Sequence, residues 1–282
     1  MSRRAAAPCT QLVVLSDLHS GCQMALCPPE GARLDSGGVY KPGKTQAKLW
    51  PIWLDFNKWI EQVTGGKDFD LVMNGDAIDG VHHGSTTQFS HNIGDQVSLA
   101  YDILKPLVNK ARFYYHIRGT EAHVGKEGEH EERLAKSLNA VPNEEGQYAR
   151  HALWKRMGGN SGPLVHILHH VGTTGSSAYE ATAVYKELVE SYVEAGRWGD
   201  VPPQAIVRSH RHRYIKTEIG SGRGYAFAVV TPAWQGKTTF AYKIPGARQS
   251  ESQFGGIVLK IGDEDGLYSR AFVRRNERGG IE

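Results

Sequence analysis

Carboxylate and imidazole side chains recur at one kind of place in this sequence, just after a short apolar run. Asp17-Leu18-His19 follows residues 11–16. Asn74-Gly75-Asp76-Ala77-Ile78-Asp79 closes residues 70–74. Arg118-Gly119-Thr120-Glu121-Ala122-His123 follows residues 112–117, His169-His170 follows 163–168, and Ser209-His210-Arg211-His212 follows 205–208. Short apolar runs rich in β-branched residues read as buried strands. In open α/β sheets, ligands bind beyond the carboxyl ends of the strands. Successive strands that deliver Asp, His, Asp, His and His-x-His to that edge are not explained by core packing. Imidazole with carboxylate suits Mn, Fe, Zn or Co, and this set exceeds what one tetrahedral ion needs. Two ions sharing one carboxylate satisfy it, and such a pair, roughly 3.5–4 Å apart, is a clamp for in-line displacement at phosphorus.

Asp17-x-His19, Gly75-Asp76-x-x-Asp79 and His210-x-His212, in that order and at those strand ends, resemble the calcineurin-like metallophosphoesterases across residues 12–213. The resemblance implies an α/β fold, a four-layer αββα sandwich of two mixed β-sheets flanked by helices. It also implies a dinuclear centre of two divalent ions (Mn, Fe, Zn, Ni or Co) and a phosphoester substrate. Monoesters, diesters, nucleotides and nucleic acid are all open. Carried over by position, Asp17, His19 and His212 hold one ion, Asp76 bridges both, and His210 with one histidine of the His169-His170 pair holds the second. His169 is favoured, by analogy with family members that carry a doubled histidine there. Asp79 orients a ligand through a hydrogen bond.

One motif departs from the family. After the third strand the family has Gly-Asn-His followed by Asp or Glu, the Asn a metal ligand and the His the expected general acid. Here the segment is Gly119-Thr120-Glu121-Ala122-His123. Thr120 offers a neutral oxygen in place of the Asn, Glu121 offers a carboxylate, and His123 falls two positions late. His123 is the expected acid for the leaving oxygen. This altered motif, with the Ser-His-Arg-His form at 209–212, resembles variants found in phage and prophage genomes. The competing reading is a weakly active or inactive scaffold of the same fold that binds a partner or nucleic acid. Against it, Asp17, His19, Asp76, His210 and His212 are all intact.

The elements that must position these groups alternate strand and helix as far as residue 213. Helices are expected over 45–63, with Trp50, Trp53 and Trp59 on its buried face, over 95–109 with Asp95 as N-cap, and over 127–138. Another is expected over 178–195, with Tyr185, Leu188, Tyr192 and Val193 facing inward. Thereafter the pattern is all strand, at 214–218, 225–231, 238–243, 256–261 and 268–274. A single domain over 1–282 with a strand-rich part at 214–282 accommodates this. The Gly-, Pro- and Ser-rich stretch 21–43 reads as a long loop. Gly38-x-x-x-x-Gly43-Lys44-Thr45 matches a phosphate-binding P-loop literally, but no apolar strand precedes it, as that mechanism requires.

Composition narrows the partners. There are 33 Lys+Arg against 30 Asp+Glu, a formal charge of +3. That argues against a nucleic-acid-binding module driven by whole-chain charge, although Arg208, Arg211, Arg213 and Lys216, and Arg274, Arg275 and Arg278, form local basic clusters suited to a polyanionic substrate. No apolar stretch reaches the roughly 18–20 residues of a membrane span, and residues 1–8 do not read as a secretory signal. Three cysteines, Cys9, Cys22 and Cys27, are too few to staple a chain this long, so a cytoplasmic protein with reduced thiols is expected. Of the 13 histidines, His82 and His83 read as surface-loop residues, and His91, His116, His130, His151 and His166 carry no motif.

Overall fold

The computed structural model describes residues 8–82, 84–172, 176–222, 224–243, 250–262 and 266–276. Strands buried on both faces read as unbroken apolar runs, and three of them set the frame: β1 (Gln11–Leu15), β4 (Asp70–Asn74) and β9 (Ala205–Arg208) are buried along their whole length. The other elements in chain order are β2 (Ala32–Arg33), β3 (Val39–Tyr40), α1 (Lys44–Thr64), α2 (Ile93–Val108), β5 (Tyr114–Ile117), α3 (Glu121–Val124), α4 (Glu129–Ser137), β6 (Ala149–Arg150), β7 (Ala152–Arg156), β8 (Leu164–Leu168), α5 (Glu180–Trp198), β10 (Ile215–Ser221), β11 (Gly224–Val230), β12 (Gln253–Ile261) and β13 (Leu267–Arg275).

Two mixed sheets result. The first runs β13-β12-β1-β4-β5-β6 and the second β10-β11-β9-β8-β7. In the first, β1, β4, β5 and β6 are parallel while β12 and β13 pair antiparallel. In the second, β8, β9 and β11 are parallel, with β7 and β10 antiparallel at the edges. Alternation along the strands divides the core into layers. Leu12 and Val14 pack between the sheets with Val165, Ile167, Val207 and Val229. Val13 and Leu15 turn the other way, onto Trp53 and Phe56 of α1 and Leu104 of α2. On the far side, Val184 and Leu188 of α5 cover Ile206 and Ala228. Helices, sheet, sheet, helix: this is the four-layer arrangement expected.

α1 buries Leu49, Trp53, Phe56 and Ile60 on one stripe and ends at Gly65, whose φ of 63° is the left-handed turn that glycine adopts without strain. Gly43 caps its start and Lys44 is exposed. Gly37 and Gly38 are open to solvent and β3 lies inside the Gly38–Thr45 pattern, so the segment lacks the strand–loop–helix order of a P-loop.

Several expectations are corrected. Asn92, not Asp95, caps α2, its side chain accepting from Gly94 N at 2.8 Å, while Asp95 Oδ1 accepts from Asp35 N at 2.8 Å. In α5, Tyr185 and Val193 are 45% and 52% exposed and Val184, Leu188 and Ala195 face inward. Residues 238–243 form no strand. They close local turns, Ala241 N to Thr238 O at 3.0 Å and Lys243 N to Phe240 O at 2.9 Å, ending in a 3-10 turn at Ala241–Lys243. The stretch 21–43 contains the β2–β3 hairpin. The strand-rich tail divides between the sheets: β10 and β11 extend the second, and β12 and β13 return to complete the first. Among the described residues, no helix is long and apolar enough to cross a membrane.

Candidate metal centre

Where β1 and β4 stop, their loops go on pairing: Asp17 N donates to Gly75 O, His19 N to Asp76 O and Ser20 N to Ala77 O, at 2.9, 2.9 and 3.1 Å. On the second sheet, Ser209 N donates to His169 O at 2.9 Å. Asn74 joins the two sheets, its Nδ2 donating to Leu168 O at 3.2 Å and Ser209 Oγ at 2.7 Å, so the strand ends of both meet at one place. The backbone there is unusual. Among the described residues, six non-glycine residues have positive φ, and five of them are Asp17 (52°), His19 (43°), Asp76 (52°), His210 (72°) and His212 (55°). Such conformations cost energy and cluster at functional sites. Asp and His tolerate them better than bulky or β-branched residues.

The side chains converge in two overlapping groups, Asp17 with His19 and His212, and Asp17 with Asp76, His169 and His210. In the first, His19 Nε2 and His212 Nε2 are 3.2 Å apart and His212 Nε2 is 3.4 Å from Asp17 Oδ1. In the second, His169 Nε2 is 3.0 Å from Asp76 Oδ2, and His210 Nδ1 is 3.9 Å from the same oxygen. Asp17 belongs to both groups, and Asp76 Oδ2, of the second, lies 3.9 Å from His19 Nε2 of the first. Thr120 Oγ1 is 3.2 Å from both Asp76 Oδ2 and His210 Nδ1. Glu121 is exposed at the start of α3. Of the histidine pair, His169 is fully buried among the carboxylates, whereas His170 is exposed and stacks edge-on against His169 and His210.

The donor set fits divalent ions. Asp17 Oδ1 and His169 Nε2 are buried, 4.0 Å apart, and held by ion-pair contacts, to His212 Nε2 at 3.4 Å and Asp76 Oδ2 at 3.0 Å respectively, a buried set of charges that a cation would balance. His169 Nδ1 faces Asn74 O at 2.7 Å, which fixes that nitrogen as the donor and turns Nε2 toward the carboxylates. The carboxylates and imidazoles also offset one another's charge. Burial would push His169 down, but Asp76 and Asp17 outweigh it and raise the imidazole to about 10. Burial would likewise raise Asp17, yet His169 and His212 hold it at about 2. The same histidine holds Asp76 well below the usual carboxylate range despite its burial.

Asp79 braces the centre from behind. Its Oδ1 is 3.2 Å from His19 Nδ1, and it accepts from Gln88 Nε2 at 2.5 Å and Gln235 Nε2 at 3.1 Å. His123 sits beside it, Nδ1 2.6 Å from the Asp79 carbonyl, its ring edge-on to those of His19 and His82. Burial pushes His123 down to about 4. His82, read from sequence as a surface residue, lines the site, with Nε2 3.7 Å from Asp79 Oδ2. Its place three residues after Asp79 was the available signal. Gln88 and Gln235 carried none, since neither lies near a motif. His83 lies outside the described residues.

A cavity of about 360 Å³ opens over the cluster, with His123, Thr120, Arg211, Arg213, Lys237 and Phe240 among its walls. The basic cluster read from sequence divides. Arg208 is buried against Glu187, Nε to Oε2 at 2.6 Å. Arg211 and Arg213 face the cavity. Lys216 pairs with Glu218 at 2.6 Å on the surface. Arg274 lies over the Phe272 ring, and Arg278 lies outside the described residues.

No family model and no curated protein matches this chain. Among solved structures, it is similar to Vps29 from Chaetomium thermophilum (12% identity, TM-score 0.42, covering 95% of this chain and 97% of that one). It is also similar to the sulfate thiohydrolase SoxB of Thermus thermophilus (10%, 0.40, 98% and 57%) and to a metallophosphoesterase from Sphaerobacter thermophilus (8%, 0.37, 95% and 88%). Likeness at these scores assigns this chain no activity.

Proposed function

We propose that this chain is a metal-dependent phosphoesterase of the calcineurin-like type. The observation that carries the proposal is the convergence of Asp17, His19, Asp76, His169, His210 and His212 at the ends of strands from both sheets, five of the six in left-handed backbone. In this reading Asp17, His19 and His212 hold one ion, His169 and His210 hold a second with Thr120 as a neutral oxygen donor, and Asp76 serves both. When bound, the ion pair would supply a nucleophile from water at neutral pH and neutralise charge developing on the phosphoryl oxygens. The chain's own residues do the rest. Asp79 fixes the ring of His19. The Asp79 carbonyl anchors His123 through Nδ1, which turns Nε2 to a leaving oxygen, and the acid role requires that bound substrate raise this imidazole from the value of about 4 at which burial holds it. Arg211 faces the cavity, and Arg213 and Lys237 on its wall are paired with Glu180 and Glu251. A substrate larger than phosphate itself, a phosphodiester or nucleic-acid strand before a small monoester, would draw on Arg211 and exchange those pairs for its own charge.

The test is one assay. The protein is stripped of metal, restored with Mn, Zn, Ni or Mg, and offered an aryl phosphomonoester and an aryl phosphodiester, with Asp76→Asn alongside. Metal-dependent turnover, abolished in the variant and faster on the diester, is expected. Two bound ions with no turnover on either substrate would favour a partner-binding scaffold. Turnover unchanged by Asp76→Asn would remove the two-ion reading.

A further inference from the structure

Glu131 lies on α4, outside every motif, and is fully buried. Its carboxylate joins the two loops of the first sheet that face the centre. Oε1 accepts from Ala77 N and Oε2 from Gly119 N, each at 2.7 Å. Ala77 follows Asp76 and Gly119 precedes Thr120. Thr120 in turn grips both oxygens of Asp76, its N donating to Oδ1 at 2.7 Å and its hydroxyl to Oδ2 at 3.2 Å. The loops lie so close that a Cβ on Gly119 would stand 2.1 Å from Asp76 Oδ1. Behind the carboxylate, His116 Nε2 lies 3.6 Å from Oε1, and His116 Nδ1 is held by Tyr114 OH at 2.6 Å.

We infer that Glu131 is a positioning residue for the metal centre, setting the rotation and separation of Asp76 and Thr120 through their neighbouring amides. The inference rests on the two-ion reading above. An ionised carboxylate is a pure acceptor and can satisfy two converging N–H groups. An amide in its place must turn an NH2 toward one of them, which forces the loops apart.

The chain contains its own control. Glu132, the next residue, makes the same pair of bonds, Oε1 to Tyr148 N at 2.8 Å and Oε2 to Ala149 N at 2.7 Å, but it pins β6, which carries no candidate ligand. Glu132 is less buried and also lies 3.8 Å from Arg118 Nη2, so a merely structural role predicts that the two variants differ in stability but not in how the folded proteins bind ions. A positioning role predicts that only Glu131 affects the ions.

The experiment titrates Mn into stripped wild type, Glu131→Gln and Glu132→Gln by calorimetry, with the visible spectrum of Co(II)-loaded samples as a coordination readout. Expected are metal affinity weakened about 10- to 100-fold in Glu131→Gln, in the range for residues that orient ligands, an altered cobalt spectrum, and wild-type values for both in Glu132→Gln. Wild-type affinity and spectrum in a folded Glu131→Gln protein, or equal losses in both variants, overturns the inference. If Glu131→Gln does not fold, Glu131→Asp, which keeps the charge but spans less, is read in its place. Failure of that variant to fold as well marks Glu131 as structural only. Wild type that binds no ion removes the two-ion reading itself, an outcome distinct from a wild type and a Glu131→Gln protein that bind ions equally.

Discussion

A left-handed φ at Asp17, His19, Asp76, His210 and His212 costs roughly 1–2 kcal/mol per residue. The return is direction: each turned backbone swings its side chain back over the strand end instead of onward along the loop. The fold then holds carboxylates and imidazoles in mutual contact, with His169 Nε2 3.0 Å from Asp76 Oδ2 and His212 Nε2 3.4 Å from Asp17 Oδ1. A ligand that binds only this folded arrangement stabilises it by mass action, about 2.7 kcal/mol at a hundredfold excess over Kd. Adding Mn at that excess to the stripped protein is therefore expected to raise Tm by about 5–10 °C. A melting curve that ignores the metal would contradict the reading. His123→Ala separates proton donation from metal binding. Turnover of an alkyl phosphodiester is expected to fall about 10²–10⁴-fold, with a much smaller loss on an aryl diester, whose leaving group needs no proton. Equal losses on both would remove the acid role. The residue types of the site were legible because each follows an apolar run. The choice between Thr120 and Glu121 was not, because what separates them is contact between segments far apart in sequence: Thr120 Oγ1 lies 3.2 Å from Asp76 Oδ2 and His210 Nδ1, while Glu121 is exposed.

Legibility at the level of elements follows burial. β4 and β9 match their expected ranges end to end, because a strand covered on both faces must be apolar throughout. β6 and β7 went unread: β7 is an edge strand whose Trp154 is 55% exposed, so its pattern is broken by charge. Residues 238–243 show the converse error, a β-rich composition with no strand beside it to pair with. In α5 the helix was legible but its face was rotated, because aromatic and branched residues lie on both sides and only packing against Ile206 and Ala228 selects Leu188 over Val193. The corrected face has a direct check. Leu188→Ala is expected to cost about 2–4 kcal/mol in denaturant unfolding, and Val193→Ala less than about 0.5 kcal/mol. Similar costs at both positions would restore the original face.

At the scale of the whole molecule, β4 links two ends with opposite demands. Its last turn carries Asn74 to Asp76 into the site, where Asn74 Nδ2 donates to Leu168 O at 3.2 Å and Ser209 Oγ at 2.7 Å, holding the sheets together beneath the metal cluster. Its first residue, Asp70, is buried at the far end and receives Arg112 Nε at 2.9 Å and, from the second sheet, Lys155 Nζ at 2.9 Å. The site needs both sheets, since Asp17, Asp76 and Thr120 come from one and His169, His210 and His212 from the other, so a clamp at the opposite end helps fix their separation. Burial would raise the Asp70 carboxyl, but Arg112 and Lys155 outweigh it and hold it below its ordinary 3.8. A carboxyl depressed in the folded state stabilises above its unfolded value and loses that contribution as pH falls through its folded value. Asp70→Asn leaves Lys155 and Arg112 facing a neutral group and is expected to cost roughly 3 kcal/mol at pH 7. The deficit should begin to shrink as pH falls through 3.8, where the unfolded carboxyl takes up its proton, and close only below the depressed folded value, where the folded wild-type carboxyl is neutral too. Thermal melts of both proteins from pH 7 to pH 2 test this. A gap that stays constant across the range would mean that the charge of Asp70 is not what joins the sheets at that end.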